Sequence, residues 1–237
     1  MGIGADAMLL MNTIGYTFND IHILETALTH SSYSNEMKKR GYRIDSNESL
    51  EFLGDAVLEL IVSEHLYPLY KKDGEGVLTR LRQILVCEST LARVARRINL
   101  SEFLNIGTGE ENTGLRNQNK ILADATEALI AAIYIDDGAF GGERYKSVIL
   151  KLLKEEIDAA IETGSHDYKT MLQQLVEKNT GSVLVYNYEE SGPQHKKTFV
   201  ATAFINNNKV GVGVGSSKRG AEQAAAKSAL KLFGIVD

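Results

Sequence analysis

Four carboxylates lie in two apolar stretches of this sequence, at spacings that place each pair on one helical face. Glu51 and Asp55 are four residues apart in the first stretch, and Asp124 and Glu127 are three apart in the second. Aliphatic and aromatic side chains surround both pairs, so we expect each helix to be buried on most sides. A buried carboxylate is unfavourable unless a cation accompanies it. We expect none of the four to have a basic partner on its own helix, which indicates a metal ion.

If the two helices pack face to face, the four carboxylates converge, and such a cluster cannot stay fully ionised without a cation. Oxygen ligands without His or Cys favour Mg²⁺ or Mn²⁺ over zinc. Two alternatives remain open. Each pair could be a solvated helix face, although the apolar surroundings and the duplication argue against this. A di-iron carboxylate bundle would need Glu-x-x-His, and neither stretch supplies the His. Glu59, one turn beyond Asp55, is interpreted as a surface residue.

The elements that must position these residues are helices. Apolar residues recur at intervals of three and four through residues 1–158, and strand-type alternation is not sustained there. Breaks are predicted at Pro68 with 71–76, at the exposed polar loop 107–118, and at 136–142. The polar segment 162–167 is predicted to be a linker.

The pattern changes after this linker. Residues 168–237 are predicted to form an α-β-β-β-α unit, because short runs alternate and a turn signal lies at Asn206–Asn208. The predicted bounds are a helix at 168–179, strands at 182–189, 197–205 and 209–215, and an Ala-rich helix at 218–233. Ser216 or Ser217 is expected to cap the last helix.

The charge is divided unevenly along the 237 residues. The net charge is −5, but residues 167–237 carry nine Lys and Arg against six Asp and Glu, a net of +3, and the remainder carries −8. This asymmetry indicates that the two parts of the chain have different functions. No apolar run approaches the length of a membrane span, and the single Cys87 excludes an internal disulfide and a multi-Cys zinc site. We therefore expect a cytoplasmic protein without a membrane partner.

A second group of residues could bind phosphate. A glycine-rich turn precedes the last helix, and Lys218 and Arg219 begin that helix. Backbone N–H groups at a helix N-terminus suit phosphate oxygens. Cations there oppose the helix dipole, so stability alone does not explain them, although a solvated charge pair remains an alternative. Polar side chains also share one face of the helix at 168–179, and His195 lies in a turn between strands.

These residues together resemble bacterial ribonuclease III. The signature-like segment is Asn-Glu-Ser-Leu-Glu-Phe-Leu-Gly-Asp-Ala-Val-Leu at 47–58, with supporting blocks at 30–36 and 123–129. Residues 168–237 resemble a double-stranded-RNA-binding domain. The resemblance covers nearly the whole chain and implies an all-α N-terminal endonuclease domain at 1–161. A linker at 162–167 and a small α+β RNA-binding domain at 168–237 complete the expected organisation.

The resemblance also implies roles for individual residues. Glu51, Asp124 and Glu127 match metal ligands, and Asp55 and Glu127 match the pair treated as catalytic in this family. Glu48 matches a position that supports the dimer and RNA binding. In the RNA-binding domain, the residues expected to reach successive minor grooves and the intervening phosphates are Thr170, Gln173, Gln174, His195, Lys218 and Arg219. Many such domains carry Lys at the position of Glu222, which is a departure here.

The function implied is hydrolysis of double-stranded RNA with Mg²⁺, for which Mn²⁺ substitutes, and without an organic cofactor. The metal would polarise the phosphate and activate water, leaving 5′-phosphate and 3′-hydroxyl ends. A homodimer would cut both strands and leave short 3′ overhangs. Substrates would include ribosomal-RNA precursors, structured messenger RNAs and transfer-RNA precursors.

The sequence argues against two rival functions. A non-catalytic RNA-binding scaffold would have lost at least one of the four carboxylates, and all are present. A nuclease acting mainly on DNA is disfavoured by His195 and by the pair Lys218 and Arg219.

Overall fold

The structure is a computed structural model that describes residues 3–138, 142–164, 168–177, 181–191 and 197–235. The chain divides into two compact units, Met1–Ser165 and His166–Asp237. Within the described ranges, no helix is both long enough and apolar enough to cross a membrane.

The first unit is helical, as predicted. Its helices, in chain order, are α1 (Ile3–Ile14), α2 (Ile21–Ala27), α3 (Ser31–Lys39), α4 (Glu48–Tyr70), α5 (Glu75–Val86), α6 (Glu88–Arg97), α7 (Thr108–Glu111), α8 (Asn119–Gly138), α9 (Arg144–Leu152) and α10 (Lys154–Gly164), with short 3₁₀ turns at Leu100–Phe103 and Leu115–Asn117. One isolated parallel bridge, between Thr29 and Asn105, joins two loops of this unit.

Helices α4 and α8 carry the two predicted carboxylate pairs and pack against each other. Helix α8 is central, because Leu122, Leu129 and Ile130 are almost fully inaccessible to solvent. Gly54 of α4 allows the close approach, since a β-carbon placed there would overlap the backbone carbonyl of Glu127. A larger residue at this crossing would separate the two helices.

The prediction that α4 is buried on most sides is wrong for the single chain. Its inner face buries Leu58, Ile61 and Val62, but Phe52 is 82% exposed and Leu60 is 59% exposed. Helix α4 packs on α8 along one side, and its remaining sides meet other helices only in part. Phe52 and Leu60, together with Tyr67, therefore form an exposed apolar stripe on this helix.

Two predicted breaks differ in detail. Helix α4 continues past Pro68 to Tyr70, because a proline in the last turn removes only one helical hydrogen bond. The loop 107–118 is largely exposed, as predicted, but contains α7 and a 3₁₀ turn. Arg116 anchors this loop by pairing with Glu111 at 2.6 Å and by donating to the backbone carbonyl of Leu104 at 2.8 Å.

The second unit has the predicted α-β-β-β-α order. Helix α11 (Tyr168–Glu177) is followed by strands β1 (Leu184–Ser191), β2 (Thr198–Ile205) and β3 (Asn208–Gly215), and then by α12 (Lys218–Leu232). The strands form an antiparallel sheet in the order β1-β2-β3. Glycines of β3 lie against the backbone of α12, where the small side chains of Ala221 and Ala225 permit close packing.

Candidate catalytic centre and RNA-binding face

Three of the four predicted carboxylates converge where α4 crosses α8. Glu51 comes from α4, and Asp124 and Glu127 come from successive turns of α8. One oxygen of each lies within 4.8 Å of the other two, and all three residues are partly buried. Gly54 brings the helices close enough for this meeting. These three side chains therefore do not form a solvated helix face.

Asp55 and Glu48 flank this cluster on α4. Both residues are exposed, and Asp55 is not one of the three whose oxygens converge. The charge of Asp55 nevertheless acts on Glu127, as its effect on the Glu127 pKa shows. Glu48 accepts a hydrogen bond from the Ser46 hydroxyl at 2.9 Å.

Burial and mutual repulsion raise the pKa values of the clustered carboxyls. Desolvation is the main cause for Glu127, and the charges of Asp55, Asp124 and Glu51 add to it, raising its pKa to about 7. Desolvation also raises the pKa of Glu51, with the charge of Asp124 as the next cause. The three carboxylates therefore repel one another when they are ionised, which is the electrostatic condition that a bound cation relieves.

Lys120 corrects the expectation that no basic partner lies on the same helix. It precedes Asp124 by four residues, and its Nζ lies 2.9 Å from Asp124 Oδ2. The pair raises the pKa of Lys120, mainly through its hydrogen bond to Asp124. The lysine is 68% exposed and Asp124 20% exposed, so one ammonium at the rim only partly offsets three converging carboxylates.

The donor set suits a hard divalent cation. Glu51, Asp124 and Glu127 offer carboxylate oxygens only, and such ligands favour Mg²⁺ or Mn²⁺. A bound cation would also relieve the repulsion that raises the Glu127 pKa. The residues present thus fit the metal that the sequence predicts.

A basic surface begins α12 in the second unit. Ser217 caps this helix by accepting a hydrogen bond from the Gly220 backbone N–H at 3.1 Å, and Lys218 and Arg219 are exposed beside it. Lys218 is not free, because its Nζ lies 3.3 Å from Glu190 Oε1 on β1. Lys197 Nζ reaches the other oxygen of Glu190 at 3.0 Å.

The polar face predicted on α11 is exposed. Thr170, Gln173 and Gln174 lie on it, whereas Leu172 and Val176 on the opposite side are buried in the core of this unit. Gln173 donates a hydrogen bond to Glu177 at 2.8 Å. His195, predicted to enter a minor groove, lies outside the described residues.

The contacts of Glu222 account for an acidic residue at a position where many double-stranded-RNA-binding domains carry Lys. Its carboxylate pairs with Lys169 Nζ at 2.8 Å and accepts a hydrogen bond from the Tyr188 hydroxyl. It is only 12% exposed, and it joins α11, β1 and α12. A lysine here would place two like charges together, so the acidic residue is a structural link.

Three residues that shape these sites were not predicted from the sequence: Lys120, Gly54 and Glu190. The i−4 spacing of Lys120 from Asp124 was a visible signal for that pair. Gly54 gave no signal by itself, because the close helix crossing depends on tertiary packing. Glu190 gave none either, because its two lysine partners come from separate elements.

Comparisons with known proteins identify the family of each of the two units. Residues 20–157 match the family model described as Ribonuclease-III-like, and residues 168–232 match the double-stranded RNA binding motif. Ribonuclease 3 of Caldanaerobacter subterraneus subsp. tengcongensis is 47% identical over 96% of this chain and 98% of its own length.

Two solved structures resemble the first unit. A nuclease domain of ribonuclease III from Campylobacter jejuni has a TM-score of 0.56 and 38% identity, covering 64% of this chain and 95% of its own. A second structure of that domain, described for flexibility in a region involved in dimer formation, has a TM-score of 0.56 and 39% identity, covering 62% and 96%. With a nuclease unit and a double-stranded-RNA-binding unit in one chain, the protein is an endoribonuclease specific for double-stranded RNA, and it belongs to the ribonuclease III family.

Proposed function

We propose that Glu51, Asp124 and Glu127 hold Mg²⁺, and that the endoribonuclease depends on it, with Mn²⁺ able to substitute. The observation that carries this proposal is the convergence of three carboxylate oxygens within 4.8 Å of one another. The family is metal-dependent, and the oxygen-only donor set selects a hard cation. No organic cofactor is needed for hydrolysis at this centre.

A bound divalent cation supplies charge for the scissile phosphate and lowers the pKa of water. The chain's own residues then orient the reaction. Glu127 would be deprotonated as a ligand. We assign Asp55, which is exposed one turn after Glu51, to hold the attacking water and to accept its proton. Attack by water on phosphorus with the 3′ oxygen as leaving group gives 5′-phosphate and 3′-hydroxyl ends.

The second unit supplies duplex recognition. We assign Thr170, Gln173 and Gln174 to a minor groove, His195 to the next minor groove, and Lys218 with Arg219 to phosphates between them. The exposure of the α11 face and of both basic residues supports this assignment. Recognition of an A-form duplex by shape and 2′-hydroxyl contacts would exclude DNA. The linker between the two units is proposed at 162–167, although α10 continues to Gly164.

We propose a homodimer because the exposed apolar stripe on α4 would be buried by a second copy of the chain. Phe52, Leu60 and Tyr67 are 82%, 59% and 61% exposed, and they lie about two turns apart along one side of this helix. A related nuclease domain has a region involved in dimer formation. Two copies related by a two-fold axis would bring two catalytic centres to one duplex, one per strand, with Glu48 near both the interface and the RNA. Staggered cuts would leave short 3′ overhangs.

The proposed cellular role is processing of ribosomal-RNA precursors, structured messenger RNAs and transfer-RNA precursors. A cytoplasmic location follows from that role, because bacterial transcripts are made and processed there.

The test is incubation of an end-labelled RNA duplex with the full chain in Mg²⁺, in Mn²⁺ or in EDTA, beside a DNA duplex of the same sequence. We expect cleavage of RNA alone, with either metal and not with EDTA, and ligatable 5′-phosphate ends. Cleavage in EDTA would contradict the metal site. Products with 5′-hydroxyl ends would contradict the direction of attack, and equal cleavage of DNA would contradict shape recognition.

A further inference from the structure

Glu190 lies at the centre of a charge cluster on the RNA-binding unit. Its Oε2 lies 3.0 Å from Lys197 Nζ, just before β2, and its Oε1 lies 3.3 Å from Lys218 Nζ, at the start of α12. Two ammonium groups from separate elements thus meet the two oxygens of one carboxylate. The lysines lower the pKa of Glu190, chiefly through the Lys197 hydrogen bond, so the group is ionised at neutral pH.

The position of Glu190 follows from the strand. Tyr186, Tyr188 and Glu190 alternate along β1 and therefore share the sheet face that carries the helices. Tyr188 lies beneath the ammonium of Lys218, which is 5.9 Å from the ring centroid. Glu190 is consequently held next to the first turn of α12, on the side where phosphate contacts are proposed.

This cluster contributes little to the stability of the fold. The three side chains are 40–59% exposed, and solvent screens ion pairs at such positions. Glu222 differs, because it is 12% exposed and also accepts the Tyr188 hydroxyl. Arg219, the neighbour of Lys218, has no ion pair among the residues that the structure describes. Only one member of the proposed phosphate-binding pair is therefore already occupied.

We propose that Glu190 is a built-in competitor for RNA phosphates, occupying Lys197 and Lys218 in the RNA-free protein and lowering the affinity for double-stranded RNA. This inference rests on the proposed contact between the start of α12 and the duplex. Two ammoniums around one carboxylate also form an arrangement that a phosphate, with its two non-bridging oxygens, can take over.

Competition of this kind has a signature in the salt dependence. A lysine that neutralises an RNA phosphate releases about one counterion, which steepens the dependence of affinity on salt. A lysine that must first leave a carboxylate contributes less to RNA affinity and releases fewer ions in net, because the carboxylate it leaves becomes unpaired and attracts a cation from solution. Removing the Glu190 charge therefore strengthens binding and steepens its salt dependence together.

The test compares Glu190→Gln with Glu189→Gln in the full chain. Glu189 is the neighbouring residue on β1, is exposed, and points to the opposite face of the sheet, away from Lys197 and Lys218. Both variants replace Glu by Gln and therefore change the net charge equally. Binding of a labelled RNA duplex of about 20 base pairs is measured in EDTA over a series of salt concentrations. Lys218→Gln is then added to the wild type and to Glu190→Gln to complete a double-mutant cycle.

We expect Glu190→Gln to bind about fivefold more tightly, with a log–log salt slope steeper by about one to two, whereas Glu189→Gln changes affinity by less than about twofold. Lys218→Gln should cost more affinity in the Glu190→Gln background than in the wild type. Equal effects of the two glutamate variants, or weaker binding by Glu190→Gln, would overturn the proposal. Absence of duplex binding by the wild type would instead contradict the proposed function on which it rests.

Discussion

Lys120 and Asp124 form an ion pair on one face of α8, with 2.9 Å between Nζ and Oδ2, at the rim of the three-carboxylate cluster. The charges of Glu51 and Glu127 also raise the pKa of this lysine, after Asp124 itself. The ammonium thus sits in the field of all three proposed metal ligands. A metal ion that binds at this site must therefore overcome the repulsion of the Lys120 ammonium or displace it from Asp124.

Replacement of Lys120 by Gln should strengthen Mg²⁺ binding. The change removes one positive charge beside the ligands. Two unit charges near 4 Å apart in water repel each other by about 1 kcal/mol, so the loss of repulsion on a divalent ion should raise its affinity at least roughly fivefold. Calorimetric titration with Mg²⁺ in the absence of RNA measures it directly.

Lys154→Gln is the matched control for that titration. Lys154 forms the same i,i+4 pair with Asp158, at 2.7 Å, on the exposed surface of α10. Its loss should leave Mg²⁺ affinity unchanged. Equal affinities for wild type and Lys120→Gln would contradict the placement of Lys120 beside the metal.

Metal affinity should depend on pH through Glu127. Its pKa of about 7 in the metal-free protein means that the carboxyl is largely protonated below neutral pH, and a ligand must lose that proton. We expect Mg²⁺ affinity to fall by about tenfold per pH unit below 7 and to level off above it. A flat profile between about pH 5.5 and 8 would exclude Glu127 as a ligand with a raised pKa.

The same carboxyl should destabilise the metal-free fold as pH rises. A folded-state pKa above the ordinary value of 4.5 means that the native chain binds more protons than the unfolded chain between about pH 4.5 and 7. The free energy of unfolding therefore decreases as pH rises through this window. Glu127→Gln removes the effect, so its melting temperature in EDTA should exceed that of the wild type by roughly 2–4 °C at pH 8.

The control for this measurement is pH itself. Near pH 4.5 the native Glu127 is protonated and resembles Gln, so the two melting temperatures should be close. A difference that stays constant from acidic to alkaline pH would show that packing, and not the charge, separates the variants.

Gly54→Ala should damage both stability and cleavage. The added methyl would overlap the backbone carbonyl of Glu127, and backbone cannot move aside as a flexible side chain can. Overpacking of this kind costs about 1–3 kcal/mol, and it separates the α4 ligand from the α8 ligands. Thermal unfolding and cleavage rate with Mg²⁺ measure the two consequences.

Gly76→Ala provides the comparison. Gly76 lies in α5 with nothing near its would-be β-carbon, so alanine should stabilise the helix by up to about 1 kcal/mol and leave cleavage intact. If Gly54→Ala behaved in the same way, the close crossing of α4 and α8 would not be what assembles the centre.

Phe52→Lys should prevent self-association. Phe52 is the most exposed large hydrophobic residue among those described, and a charge in an apolar interface is unfavourable. The Phe52→Lys variant should sediment as a monomer and the wild type as a dimer. The control Leu232→Lys, at an exposed leucine of α12, should remain dimeric. A Phe52→Lys dimer of wild-type stability would place the interface elsewhere.

The sequence predicted the fold class because its signals are local. Helical periodicity marked α4 and α8, and alternation in Phe199, Ala201 and Ala203 marked β2. Ala201 and Ala203 are buried in the structure. The carboxylate pairs were visible because charges interrupt apolar helices. Tertiary relationships were not visible: the exposure of Phe52 depends on what packs beside α4, and the capture of Lys218 by Glu190 depends on the register between sheet and helix.

The most direct test of the catalytic centre is single-turnover cleavage of an RNA duplex by Glu127→Gln, with binding measured in parallel. Glu59→Gln serves as the control, since Glu59 is exposed on α4 outside the cluster. We predict that Glu127→Gln binds RNA as the wild type does but cleaves at least about a thousandfold more slowly with Mg²⁺, while Glu59→Gln cleaves normally. Cleavage by Glu127→Gln at the wild-type rate would contradict the assignment of the three carboxylates as the catalytic metal site.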